Sequence, residues 1–156
     1  MSHYYLDSSA AVKLYVAEAG ADWLRGLLLN EPAVAVLSSH LLRVELWSAF
    51  ARRHREGNLS AAEFDQTITW FIEHLHGLYR LAPVTEALLQ TACDLLEKHP
   101  LRGVDAVHLA TAVILDQHLT TAQLPPLVFL SADTRLNEAA LAEGLVVSDP
   151  NHPPLP

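Results

Sequence analysis

Cysteine is nearly absent: Cys93 stands alone among 156 residues. That excludes an internal disulfide framework and any zinc site built on several cysteines. The nine histidines include no H-x-x-x-H pair, so their spacing marks no soft-metal site. No apolar run reaches the roughly 18 residues that cross a bilayer. Met1-Ser2-His3-Tyr4 has neither the basic segment nor the long apolar stretch of a secretory leader, so a cytoplasmic protein without membrane contact is expected. Positive charge is also scarce. Ten lysines and arginines against 18 aspartates and glutamates leave a net charge of −8. Such a chain has no global field for nucleic acid, and a polyanionic substrate would need a local basic patch, a bound metal or both.

What is present is a foldable core. The chain is 51% hydrophobic and 18% charged, and its length suits one domain better than two. We expect the domain over residues 1–148. The segment 149–156 holds four of the nine prolines and reads as an extended or loose end. There is no internal repeat.

Short apolar runs bounded by turn and cap residues predict buried strands at His3–Leu6, Ala33–Leu37, Tyr79–Ala82, Leu127–Leu130 and Leu145–Val147. Helical spacing runs through Ser8–Ala17, Ala21–Leu29, His40–Glu56, Ala61–Gly77, Glu86–His99, Val104–His118 and Thr134–Glu143. Strands alternating with helices predict an α/β class fold, a three-layer sandwich whose central parallel sheet is covered on both faces. Ligands in such sheets bind beyond the carboxyl ends of strands, near a switch in strand order.

Two aspartates stand at such ends. Asp7 follows Tyr4-Tyr5-Leu6, and Asp133 follows the run Val128–Leu130. Each precedes a helix and could be an N-cap. Glu45 lies among Leu41, Leu42, Ser48 and Ala49 on a mostly apolar helical stripe. A carboxylate there is costly unless it ligates something or pairs with an arginine such as Arg43 or Arg52. Asp105 opens a helix that is apolar almost all round, where His108 and Thr111 follow on the same face. A first-turn aspartate also gains from the helix dipole. We expect His108 to orient Asp105 or the helix packing. Four carboxylates at one sheet edge would repel, and a divalent ion resolves the repulsion. Mg²⁺ and Mn²⁺ prefer hard oxygen ligands. The matching chemistry is phosphodiester hydrolysis, in which one ion polarises the phosphoryl oxygen and activates water, and a second, about 4 Å away, steadies the leaving oxygen.

These residues resemble the motifs of PIN-domain ribonucleases. The stretch 5–15 around Asp7 resembles the opening motif, Arg43-Val44-Glu45 the second, 101–112 the third and 130–136 around Asp133 the fourth. Order, spacing and length resemble VapC-type toxins of toxin–antitoxin pairs. The resemblance implies a Rossmann-like sandwich and a Mg²⁺-dependent endoribonuclease, with Mn²⁺ able to substitute. It implies an acidic cluster of Asp7, Glu45, Asp105 and Asp133, with Asp7 and Asp105 nearest the metal. It also implies Ser131 close to the site, an RNA substrate, a homodimer and a cognate antitoxin. Lys13, Arg102 and Arg135 lie within these motifs and are candidates for touching substrate or pairing with the acids. Trp47, Phe50, Trp70 and Phe71 read as core or interface, and Arg52-Arg53-His54-Arg55 as a solvated helix end or a phosphate patch. The alternative is a PIN-fold interaction module without catalysis.

Overall fold

The computed structural model describes residues 1–154. Five parallel strands, β1 (Ser2–Leu6), β2 (Val34–Ser39), β3 (Tyr79–Ala82), β4 (Leu127–Leu130) and β5 (Val146–Ser148), form one sheet in the order β3-β2-β1-β4-β5. Register runs Tyr4 to Val36 on one side of β1 and Tyr4 to Val128 on the other. The chain winds outward from β1 to β3, then returns to β1's other side for β4. The sheet therefore reverses direction beside β1, and a crevice forms there between the loops that leave β1 and β4.

Seven α-helices cover the two faces: α1 (Ser8–Ala11), α2 (Ala21–Leu29), α3 (Leu42–Arg55), α4 (Ala61–Gly77), α5 (Glu86–Lys98), α6 (Gly103–Thr121) and α7 (Thr134–Ala142). The pleat of β1 sends neighbouring side chains to opposite faces. Tyr5 joins a core with Leu95, Leu109, Phe129 and Leu136 from α5, α6, β4 and α7. Leu6 joins the other, with Leu24, Leu46, Phe50 and Phe71 from α2, α3 and α4. The all-round apolar pattern of α6 has the expected cause: Ala106 through Ala112 are all buried. Local chemistry sets helix starts. Ser60 and Glu63 form a reciprocal capping box at α4, and Thr85 caps α5. Among the described residues no helix is long and apolar enough to cross a membrane.

The helix expected over Ser8–Ala17 is cut short. After Ala11 the chain tightens into a 3₁₀ turn at Val12–Leu14 and then leaves helical geometry. Tertiary demand overrides spacing here. Tyr15 packs edge-on against Phe50 and Phe71 and bonds to His74 and Tyr79, while Lys13 reaches the Ala19 carbonyl at 2.8 Å. Burial pushes the Tyr15 phenol well above its ordinary pKa, so it stays protonated. Lys13 is buried against Glu18 and Ala19, away from the crevice, and is not a substrate contact. Of the four aromatics singled out above on α3 and α4, Phe50 and Phe71 are core, whereas Trp47 and Trp70 are exposed. Arg53 from the basic run pairs with Glu18 at 3.2 Å.

The expectation of a loose end from residue 149 onward is corrected over its first four residues. Asp149 caps a turn, accepting from Asn151 N at 2.8 Å and from His152. Pro150 is buried against Gly20. Leu155 and Pro156 lie outside the described residues.

Candidate active site

The crevice is built around Asp7, the first residue beyond the central strand, which is 3% exposed. Its amide donates to the Leu130 carbonyl of β4, so the backbone pins it at the reversal. It caps α1, accepting from Ala10 N at 2.9 Å. Ser9 Oγ lies 2.8 Å from both carboxylate oxygens. Ser131 Oγ donates to Oδ2 at 3.0 Å and accepts from the Asp133 amide at 3.1 Å. Capping and a crevice position therefore coexist in this one residue. Burial pushes its carboxyl pKa above the ordinary range, and it outweighs the His108 ring, the Ala10 amide and the two serine hydroxyls, each of which favours the charged form. Ser131 is fully buried. Its hydroxyl orders Asp7 and the β4–α7 turn and does not face solvent.

Glu45 pairs with neither Arg43 nor Arg52. Ser8 Oγ donates to its Oε1 at 3.0 Å, and His108 Nε2 stands 2.5 Å from its Oε2. His108 is 1% exposed, and its Nδ1 lies 2.8 Å from the Tyr5 hydroxyl. A carboxylate only accepts, so Nε2 carries a hydrogen. Burial raises the pKa of the Tyr5 phenol, which keeps its proton and holds the other side of the ring through Nδ1. Of the two roles expected of His108, orienting Asp105 is not what it does; it bonds Glu45 of α3 and Tyr5 of β1, and so ties α6 to both. Replacing His108 with Phe keeps a ring but removes both hydrogen bonds. It is expected to lower unfolding free energy by about 1–3 kcal/mol in urea titrations.

Asp105, in the first turn of α6, receives both prongs of Arg102, Nε at 2.9 Å and Nη2 at 3.4 Å. Asp133 caps α7 through Leu136 N at 3.1 Å. Asp105 and Asp133 line a common cleft of 370 Å³ with Leu101, Arg102, Thr134 and Arg135. Glu45 and Asp105 line a second of 320 Å³ with Arg102. A third, of 450 Å³, runs from Ser8, Ser9 and Glu45 to Arg52 and Arg53, again with Arg102 in its wall. The four acids thus ring one end of the sheet, and each already has a protein partner. Among the described residues, no three acidic, histidine or cysteine side chains stand together as a set that could hold a metal ion. The donors are nevertheless hard oxygens, the kind that Mg²⁺ and Mn²⁺ take.

Three functional side chains escaped the sequence reading: Ser8, Ser9 and Tyr5. The doublet Ser8-Ser9 directly after Asp7 was a usable signal, since short hydroxyls at a helix start readily reach a neighbouring carboxylate. Tyr5 gave none, because an inward strand tyrosine looks like any core aromatic.

Comparison with known proteins agrees with this architecture. Ribonuclease VapC45 and Ribonuclease VapC49 of Mycobacterium tuberculosis are each 34% identical to the chain over 145 residues, covering 92% of it and 93% of theirs. Among solved structures, the Mycobacterium tuberculosis toxin VapC20, described as cleaving the sarcin–ricin loop, superposes with a TM-score of 0.63 at 19% identity. It covers 97% of this chain and 99% of its own. VapBC2 from Rickettsia felis, bound to a promoter DNA fragment, gives a TM-score of 0.60 at 8% identity, covering 94% and 98%. These distant structures share the fold. The sequence profile of the PIN domain matches residues 4–141, which takes in every strand but β5 and all four acids, and the chain belongs to the PIN domain family.

Proposed function

We propose that this protein is a divalent-metal-dependent endoribonuclease and the toxin of a toxin–antitoxin pair, working as a homodimer in the cytoplasm. The observation that carries the reading is Asp7: a carboxylate buried at the sheet's reversal, against its own electrostatic preference, with three more acids around the same opening. A structural N-cap needs no such burial, and Asp133 caps α7 while half-open. Support comes from the relatives named as VapC ribonucleases and from a neighbouring fold described as a toxin–antitoxin complex from Klebsiella pneumoniae.

Asp7 and Asp105 would hold the ion, completed by Glu45 and Asp133. The ion would supply phosphoryl polarisation and a nucleophile from water near neutral pH. The chain's own part is positioning. Ser9 and Ser131 fix Asp7, and the Tyr5–His108 pair and Ser8 fix Glu45, so neither carboxylate must be ordered when substrate arrives. Arg102 and Arg135, both exposed on the cleft, offer positive charge to a phosphate in an otherwise acidic opening.

Purified protein with Mn²⁺ is expected to cleave RNA. Asp105→Asn is expected to lose activity by more than the roughly 10- to 100-fold that an outer partner costs, with its melting temperature near the wild type's. Equal cleavage by both proteins would assign the activity to a contaminant and overturn the reading.

A further inference from the structure

The Arg102 guanidinium lies across Asp105 with its own side chain 80% exposed, whereas Asp105 is 14% exposed. The arginine covers the acid, and solvent covers the arginine. Arg102 is also the N-cap residue of α6 but makes no capping hydrogen bond, and among the described residues its side chain bonds Asp105 alone. All three clefts around the acids include Arg102 in their walls. Its charge is further favoured by Asp133 and Glu45. An exposed guanidinium therefore stands among Glu45, Asp105 and Asp133.

We infer, resting on the function proposed above, that Arg102 exchanges partners: it neutralises Asp105 in the metal-free protein, and it turns to an RNA phosphate once a divalent ion takes that carboxylate. Two cations cannot share Asp105 at close range without strong repulsion, so metal binding expels the guanidinium. Freed from its carboxylate, the planar fork is suited to a phosphodiester, which it can grip through two parallel hydrogen bonds. The exchange is inexpensive because an exposed i,i+3 ion pair is weak. Thermodynamic linkage makes the consequence reciprocal: bound metal strengthens RNA binding through Arg102, and bound RNA strengthens metal binding by the same factor.

The test separates this exchange from a structural role, because the two predict opposite signs. Mn²⁺ titrated calorimetrically into the RNA-free protein should bind Arg102→Gln roughly two- to tenfold more tightly than wild type, since the competing cation is gone. At saturating Mn²⁺ the same variant should show a KM for RNA raised roughly tenfold with kcat changed far less, because a phosphate contact is lost. Arg102→Lys, which keeps the charge without the fork, should fall between the two in both assays. Were Arg102→Gln to bind Mn²⁺ no tighter than wild type, or more weakly, the exchange would be refuted while the nuclease reading stood. Were wild type itself to bind no Mn²⁺, both would fall together.

Discussion

Asp7→Asn is expected to abolish RNA cleavage and, in metal chelator, to make the protein more stable than wild type. The two results have one cause. The side chain is enclosed, and burial dominates the three hydrogen-bond donors that favour its charge, the Ala10 amide and the Ser9 and Ser131 hydroxyls. An asparagine of the same shape keeps the Ala10 amide contact through its oxygen. Its amino group can donate to a serine hydroxyl, which rotates to accept. The buried charge disappears while the contacts survive. The expected gain is about 0.5–2 kcal/mol, the usual yield of a stabilising substitution, or about 1–8 °C in melting temperature for a chain of this size.

The pH dependence carries a definite sign. A carboxyl whose folded pKa lies above its unfolded value holds its proton longer in the native state. Native stability then falls as pH rises from the ordinary carboxylate value through the raised folded value. Wild type in chelator should therefore lose ground to Asp7→Asn as urea titrations move up through that window, and the gap should level off above it. Added Mn²⁺ should restore wild type and leave the variant unmoved. A variant less stable than wild type at neutral pH would show that the three hydrogen-bond donors, and not burial, control this residue.

The second large effect is mechanical. Gly20, immediately before α2, adopts φ +78°, and a Cβ built on it would overlap the carbonyl of Pro150. Gly20→Ala combines left-handed strain with a backbone collision that no rotamer relieves. We expect a loss of about 3–4 kcal/mol, at the upper end of what single substitutions do, and a melting temperature lower by roughly 6–16 °C. The loss should be largely recovered by a truncation that ends the chain before Pro150, because only the strain at φ then remains. Gly57 and Gly144 serve as controls. Both have positive φ, but nothing lies within 4 Å of an added Cβ, so alanine there should cost only the strain of about 1–2 kcal/mol.

The sequence revealed the layers of this fold more fully than the bonds within them. Four strand ends were legible to within a residue or two because an apolar run must stop where polar groups meet solvent. The exception in kind was the weakest signal, Tyr79–Ala82, which nonetheless forms β3 as expected. Glu45 and Asp105 were legible because a carboxylate is expensive on an apolar helical face, and Asp7 and Asp133 because they follow strand ends. Their partners were not. His108 and Glu45 are 63 positions apart, and which acid a buried histidine reaches depends on how α3 and α6 cross, which spacing along either helix does not encode. Lys13 shows the same limit: it lies in the same motif as Asp7, but the early end of α1 and the 3₁₀ turn bring its amine to the Ala19 carbonyl. Proline content misread residues 149–152, since a proline-rich segment can be rigid and packed as easily as loose.

The wide separation of the site's parts has a consequence for synthesis. Asp7 depends on a hydroxyl 124 residues downstream. At about 5–20 residues per second, roughly 6–25 s pass between the translation of Asp7 and that of Ser131. Throughout that interval β4 is missing, and the crevice has only one wall. The acid at the centre of the crevice therefore lacks its last partner until the polypeptide is almost finished, so any activity of this site belongs to nearly completed molecules.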